Sequence, residues 1–253
     1  MLQGKIHSIE TLGLLDGPGI RTIFFLQGCP LRCSYCHNPD SQNMFSKKHM
    51  TPEEVVKMVK RYTPYYKRSG GGVTFSGGEP LLQGEFLLAT MKLLKAENIH
   101  ITLDTSGYGD ERYYKEILKY VDLILLDVKH QDHEGYRSLV GKSMKGFNNF
   151  LSHLDEYNGK IWIRHVMVPG ITDDKKITEK IFDNISHLYD KIEKIEILPY
   201  HTLGAQKYKT LGLDYPLEGV PQMDKEKAKE FENHLMFLLS SLKEDGASKK
   251  DII

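Results

Sequence analysis

The stretch IRTIFFLQGCPLRCSYCHNP, residues 20–39, decides the fold. Its first seven residues are mostly β-branched, aromatic or aliphatic, the composition of a strand covered on both faces. They run without a break into Gly28-Cys29 and a loop crowded with polar chemistry. The same unit recurs along the chain. A strand at 73–75 ends in Ser76-Gly77-Gly78-Glu79-Pro80, one at 99–103 in Asp104-Thr105-Ser106-Gly107, and one at 121–126 in Asp127-Val128-Lys129. Two more, at 160–168 and 192–198, end in Pro169-Gly170 and Pro199-Tyr200-His201. Helical patterns separate them. Thr51-Pro52-Glu53-Glu54 supplies an N-cap, a proline at the first position and acids in the first turn. Val55, Val56, Met58, Val59 and Tyr62 then follow at helical spacing. Further helices are expected over 86–94, 112–119, 175–188 and 225–242, with a frayed tail over 243–253. Six strands with helical crossovers imply an α/β fold, a partial (β/α)6 TIM-like barrel of parallel strands. The strand C-termini of such a barrel share one face, and the site is expected there, where the unusual residues gather. No repeat, linker or low-complexity block marks a boundary, so residues 1–253 read as a single domain.

The 253 residues carry 34 basic and 34 acidic side chains, 27% charged and 40% hydrophobic, the composition of an ordinary soluble globular protein. Zero net charge argues against a general nucleic-acid binder, which needs a basic surplus to neutralise phosphates. The longest apolar runs, such as 23–26 and 123–126, fall far short of the ~20 residues a membrane span needs. MLQGKIHSIE has no basic segment followed by an apolar one. A cytoplasmic protein without nucleic-acid or membrane partners is expected.

All three cysteines, Cys29, Cys33 and Cys36, lie within eight positions in a C-x3-C-x2-C arrangement. An odd, clustered set is a poor disulfide framework and a good metal-site candidate. Three thiolates on one tight loop can hold three irons of a [4Fe–4S] cube, and the missing fourth cysteine leaves one iron without a protein thiolate. An open position is what a metal site keeps when it must bind substrate. The competing reading is a Cys3His zinc site that adds His37, in a non-catalytic binding module. It would force four ligands onto one short loop, whereas structural zinc sites use two separated pairs. Iron content and brown colour distinguish the two. Gly141-Lys142-Ser143 is set aside as a phosphate loop because the required glycine falls at Tyr136. Ser69-Gly70-Gly71-Gly72 lacks a preceding strand and reads as a flexible turn.

Cys29, Cys33, Tyr35 and Cys36, as C-x3-C-x-aromatic-C, resemble the signature of the radical S-adenosylmethionine (SAM) superfamily, and Ser76-Gly77-Gly78-Glu79-Pro80 is similar to its second motif. Asp16-Gly17-Pro18-Gly19-Ile20-Arg21, Tyr35-Cys36-His37-Asn38, Asp104-Thr105-Ser106-Gly107, Asp127-Val128-Lys129, Val168-Pro169-Gly170 and Leu198-Pro199-Tyr200-His201 resemble motifs of the glycyl-radical-enzyme activases. They occur in that family's order over most of residues 5–220. The resemblance implies a [4Fe–4S] cluster on Cys29, Cys33 and Cys36 that reductively cleaves SAM to a 5′-deoxyadenosyl radical, which takes hydrogen from a partner's backbone glycine. It implies SAM contacts from Tyr35, Cys36, His37, Asn38, Gly77, Gly78, Glu79, Asp104, Lys129 and His201. It further implies a monovalent cation at Asp104, Thr105, Asp127 and the carbonyl near Leu125, and a substrate peptide at Asp16 and Arg164. The residues also admit plainer roles: Gly-Gly-Glu-Pro as a strand-to-helix turn, Lys129 paired with a carboxylate, Arg164 as an ion-pair partner inside the barrel. The 40 residues between Cys36 and Gly77 hold no cysteine for auxiliary clusters. That favours pyruvate formate-lyase as the partner over other glycyl radical enzymes, with flavodoxin or ferredoxin as electron donor and a monomeric activase.

Overall fold

A computed structural model describes residues 1–250, with side chains through residue 246. Six strands run parallel: β2 (Arg21–Leu26), β4 (Gly72–Gly77), β5 (His100–Thr105), β6 (Leu123–Asp127), β7 (Lys160–Met167) and β8 (Ile192–Pro199). Two more strands, β1 (Gly4–Gly13) and β3 (Lys48–Met50), extend the sheet antiparallel beyond β2, giving the order β3-β1-β2-β4-β5-β6-β7-β8. This α/β sheet is the expected six-stranded parallel core plus an antiparallel edge that the sequence reading did not anticipate. The reason is local. In β1 only Ile6 among its large apolar side chains is buried, so the strand lacks the uninterrupted apolar run that marks β2 and β6.

Helices cover the parallel strands: α1 (Pro52–Lys60), α2 (Thr63–Ser69), α3 (Gly84–Ala96), α4 (Tyr114–Leu118), α5 (His133–Val140), α6 (Lys145–His153), α7 (Lys175–Ile185), α8 (Ala205–Leu211) and α9 (Lys225–Lys250). The start of α1 is as the sequence predicts, with a full capping box: Thr51 accepts from the Glu54 amide, and the Glu54 carboxylate accepts from the Thr51 amide. α2, α5, α6 and α8 were not expected; they are short helices of seven to nine residues, too few turns for a decisive period. The helix expected over 112–119 becomes a 3-10 turn followed by α4. α9 runs eight residues beyond the expected stop at 242, so 243–250 are helical; 251–253 lie outside the described residues. The Ser69–Gly72 segment is not a loose turn. Gly70 caps α2 in the left-handed region, and a Cβ on Gly71 would stand 1.9 Å from the Ile20 carbonyl oxygen.

The register is what positions the site. Leu26 pairs with Gly77, Thr105 with Leu126, Asp127 with Arg164 and Met167 with Pro199. The loops after these strands therefore open along one edge of the sheet. Buried Phe24, Phe75, Leu103, Ile124 and Ile163 fill the middle of the strands. The connection between β1 and β2 turns inward: the Asp16 carbonyl accepts from Thr74 Oγ1 (2.6 Å) and the Leu15 carbonyl from Arg164 (2.8 Å).

Candidate active site

The cysteine loop is held in place by its backbone before any side chain is considered. The Gly28 amide donates to the Ser41 carbonyl (2.7 Å) and the Cys29 amide to that of Gln42 (3.0 Å). The Arg32 and Ser34 amides donate to Val140 and Leu139 at the end of α5. Cys36 closes a turn on the Cys33 carbonyl. So anchored, Cys29, Cys33 and Cys36 line one cavity of about 390 Å³, walled also by the C-terminal ends of β4, β5, β6, β7 and β8. Tyr35, His37, Asn38, Gly77, Gly78, Asp104, Thr105, Asp127, Lys129 and His201 share that wall. Of the expected site residues, Glu79, Leu125, Asp16 and Arg164 do not line it.

Both glycines of the second motif are required by contact. Gly77 has φ +113°, and a Cβ there would stand 2.3 Å from the Leu26 nitrogen; on Gly78 it would stand 2.2 Å from the Gly28 carbonyl oxygen. The β4 loop thus packs backbone to backbone against the cysteine loop. Glu79 lies beneath, fully buried. One of its oxygens accepts from the Leu81 amide (3.1 Å) and Thr105 Oγ1 (2.5 Å), the other from the Ser106 amide (2.9 Å) and Ser106 Oγ (2.5 Å). Its carboxylate is spent on joining the β4 loop to the β5 loop. Burial pushes its pKa up, against the four hydrogen bonds that favour the ionised form.

Asp104 accepts from Ser76 Oγ at 2.6 Å and lies 3.7 Å from Arg164. Burial, with Asp127 adding to it, pushes this carboxyl up to about 7 despite the opposing guanidinium. Asp127 pairs with Lys129 at 2.7 Å, the plainer role foreseen for that lysine, and Lys129 also sits 5.6 Å above the Tyr35 ring. Burial acts to lower the Lys129 pKa, but Asp127 and the neighbouring phenol and thiol outweigh it and raise the pKa. Thr105 donates to Glu79 and accepts from the Gly107 amide, and Leu125 is paired with Asp104 across the sheet. Arg164 gathers the inturned loop to the strands: it reaches Glu196 (3.2 Å), Asp16 (3.5 Å) and the Leu15 carbonyl (2.8 Å). The two peptide-site candidates are thus partners of each other. At the opposite rim the His37 and His201 rings lie 4.3 Å apart, and Lys207 donates to Asn38 Oδ1 at 2.6 Å. Ser76, Ser106 and Lys207 were given no role from the sequence. The first two stand inside quoted motifs, so their hydroxyls were visible there; nothing near Lys207 marks it.

The donor set suits an iron–sulfur cluster. Burial, aided by Glu79, pushes Cys29 up to about 12, and burial pushes Cys33 up to about 11 against the pull of Lys129. Thiols so placed become thiolates only when metal charge compensates them. Among the described residues no three Cys, His, Asp or Glu side chains converge on a point that could hold one metal ion. The thiols instead ring a cavity, as the corners of a cube need.

Behind the site, His165 is 1% exposed, its Nδ1 2.7 Å from the Val128 carbonyl between Asp127 and Lys129, and its Nε2 has no partner. Burial holds it down at about 4. A histidine depressed in the fold is protonated first in the unfolded chain, so stability is full above about pH 6.5 and falls as pH drops toward 4. The expected contribution to the slope is up to about 1.4 kcal/mol per pH unit. Urea unfolding of wild type and His165→Gln between pH 7 and pH 4 checks it; an equal slope in the variant removes His165 as the source.

The profile of the Radical SAM superfamily matches residues 23–181. A pyruvate formate-lyase-activating enzyme of Clostridium pasteurianum is 54% identical over 239 residues, 94% of this chain and 100% of that protein. The enzyme of the same name from Staphylococcus epidermidis is 46% identical over 94% of this chain and 97% of its own. The chain belongs to the radical SAM superfamily, among the pyruvate formate-lyase-activating enzymes. Solved structures agree on the fold. A radical SAM methyltransferase from Sphaerobacter thermophilus matches with a TM-score of 0.60 at 17% identity, over 85% of this chain and 63% of that one. A domain of a pyruvate-formate lyase-activating enzyme from Bacteroides vulgatus gives 0.53 at 24% identity, over 68% and 95%. As a radical SAM enzyme the chain uses a [4Fe–4S] cluster and SAM, and Cys29, Cys33 and Cys36 are the only thiols it has for that cluster.

Proposed function

We propose that this chain activates pyruvate formate-lyase by generating a glycyl radical on it. The reading is carried by one observation: three thiols from a single loop and polar groups from four strand ends line one cavity. The relatives' shared name supplies the partner. A [4Fe–4S] cluster on Cys29, Cys33 and Cys36 would supply the electron that cleaves bound SAM to methionine and a 5′-deoxyadenosyl radical, the species that takes hydrogen from the partner's glycine.

The chain's own residues bind and orient. Gly77 and Gly78 bring backbone groups to the cavity without side chains in the way, next to Asp104, a setting for the methionyl ammonium. Lys129 faces the cavity as a fixed cation suited to the carboxylate. His37, Asn38 and His201 at the other rim suit the nucleoside end, with Lys207 holding the Asn38 carbonyl so that its amide N–H groups remain to donate. Asp104 and Asp127, with Thr105 and the Leu125 carbonyl, make the monovalent-cation position. Asp16 and Arg164, already linked across the barrel, make the position for the glycine-bearing peptide. The reading includes flavodoxin or ferredoxin as electron donor and a monomeric cytoplasmic protein; no helix among the described residues is long and apolar enough to cross a membrane.

The test is an electron paramagnetic resonance spectrum of the anaerobically reconstituted protein with reductant, SAM and pyruvate formate-lyase. A glycyl-radical doublet is expected; a reduced-cluster signal without the doublet would assign the chain another target. In Arg164→Ala the doublet is expected to fall about tenfold or more while uncoupled 5′-deoxyadenosine release falls less. Equal loss of both removes Arg164 from the peptide position.

A further inference from the structure

The inner face of the cysteine loop is turned to the SAM cavity, and its outer face is sewn to α5. The Arg32 amide donates to the Val140 carbonyl and that of Ser34 to Leu139. Arg32 is exposed, and its guanidinium donates to the carbonyls of Cys29 (2.8 Å) and Leu31 (2.7 Å). It therefore links solvent directly to the backbone of a cluster-binding residue. Gly141, the left-handed cap of α5, lies so close that a Cβ there would meet Arg32 Cβ at 3.4 Å. A shallow cleft on this outer face is lined by Arg137 and Lys142, and Lys145 follows at the start of α6. All three are exposed, and none pairs with a carboxylate among the described residues. Two acids lie beside them, Asp132, whose carboxylate caps α5 through the Gly135 amide, and Glu134, so with Arg32 the cations outnumber the carboxylates four to two. On a chain of zero net charge, this is a concentration of positive charge at the outer seam of the cluster loop.

We propose that Arg32, Arg137, Lys142 and Lys145 form the docking face for an acidic one-electron carrier protein of the flavodoxin class. The proposal rests on the function proposed above, in which the bound cluster must be reduced while SAM occupies the cavity. The cavity mouth is then taken, and the Arg32 seam is a route from solvent to the thiols that does not cross it. In the transfer one electron leaves the carrier's reduced flavin and enters the iron–sulfur group; no bond is made or broken. Opposite charge steers such an encounter and sets its orientation, and the attraction weakens with salt.

The test uses Arg137→Glu/Lys142→Glu, with Lys67→Glu/Arg68→Glu on α2 as a charge-matched control. α2 leads into the start of β4, at the other end of the barrel. Binding of an acidic flavodoxin to the reconstituted holoenzyme is followed by calorimetry at low and raised salt. SAM cleavage is measured separately with reduced flavodoxin and with dithionite. Wild-type binding is expected to weaken with salt, and the Arg137→Glu/Lys142→Glu variant to bind flavodoxin about tenfold or more weakly. Its flavodoxin-driven cleavage should fall in step, its dithionite-driven cleavage should stay unchanged, and the α2 control should match wild type. Unchanged affinity, or equal loss with both reductants, overturns the proposal. So does equal weakening in the control. Loss of glycyl radical under dithionite with SAM cleavage intact would assign the face to the substrate protein instead. If wild type cleaves no SAM even with dithionite, the underlying functional reading fails, a result distinct from all of these.

Discussion

Cys33→Ala is expected to leave a folded protein with almost no bound iron and no measurable SAM cleavage. Folding should survive because the loop is positioned by backbone groups: the amides of Cys29, Arg32, Ser34 and Cys36 all donate to carbonyls, and none of these bonds uses a side chain of the triad. Cluster binding should not survive. The chain has three cysteines, so losing one leaves two thiolates for a cube that already has one iron without a protein ligand. The same variant separates thiolate chemistry from burial: a far-ultraviolet spectrum and melting temperature close to wild type, with iron lost, is the expected pair of results. Normal iron content and turnover would falsify the ligand assignment.

The sequence carried the barrel and the cavity wall for different physical reasons. The parallel strands were legible because covered strands are largely apolar: β6 is apolar at every buried position, and β2 is apolar from Ile23 onward, after the buried Arg21 and Thr22 at its start. The residues after each strand were legible as a group because parallel register forces all strand ends to one side. What periodicity could not reveal was β1, an antiparallel edge strand with a half-exposed pattern, and α5, whose end anchors the cysteine loop from more than a hundred positions away. Nor could it show which motif residues turn toward the cavity and which turn away. Thr105 and Glu79 share a hydrogen bond that only the packing of β4 against β5 creates. Asp16 and Arg164, far apart in the chain, meet because the connection between β1 and β2 folds inward.

Glu79→Gln is expected to cost more than its single-atom change suggests, because neither orientation of the amide fits. Each carboxylate oxygen of Glu79 faces one backbone N–H, that of Leu81 on one side and that of Ser106 on the other. The Thr105 and Ser106 hydroxyls can turn to accept, but a backbone N–H cannot. Whichever way the glutamine lies, its NH2 points at a buried donor, and a hydrogen bond to a charged acceptor becomes a donor–donor contact. Losing such a bond and leaving its donor unsatisfied costs about 3 kcal/mol. For a domain of this size that lowers the melting temperature by roughly 5–10 °C. The functional effect should exceed the thermal one. Glu79 ties the Gly77–Gly78 backbone to the Thr105–Ser106 loop, two segments that line the cavity. Freeing them should weaken SAM binding about 10- to 100-fold, the range seen when groups supporting a site are removed. Iron content should stay near wild type, since the carboxylate makes no hydrogen bond to a cysteine thiol and removing its charge eases the ionisation of Cys29. Equilibrium binding of SAM to the reconstituted variant, read beside its iron content, separates the two possibilities. Wild-type affinity with full iron would mean that the buried carboxylate serves only the fold.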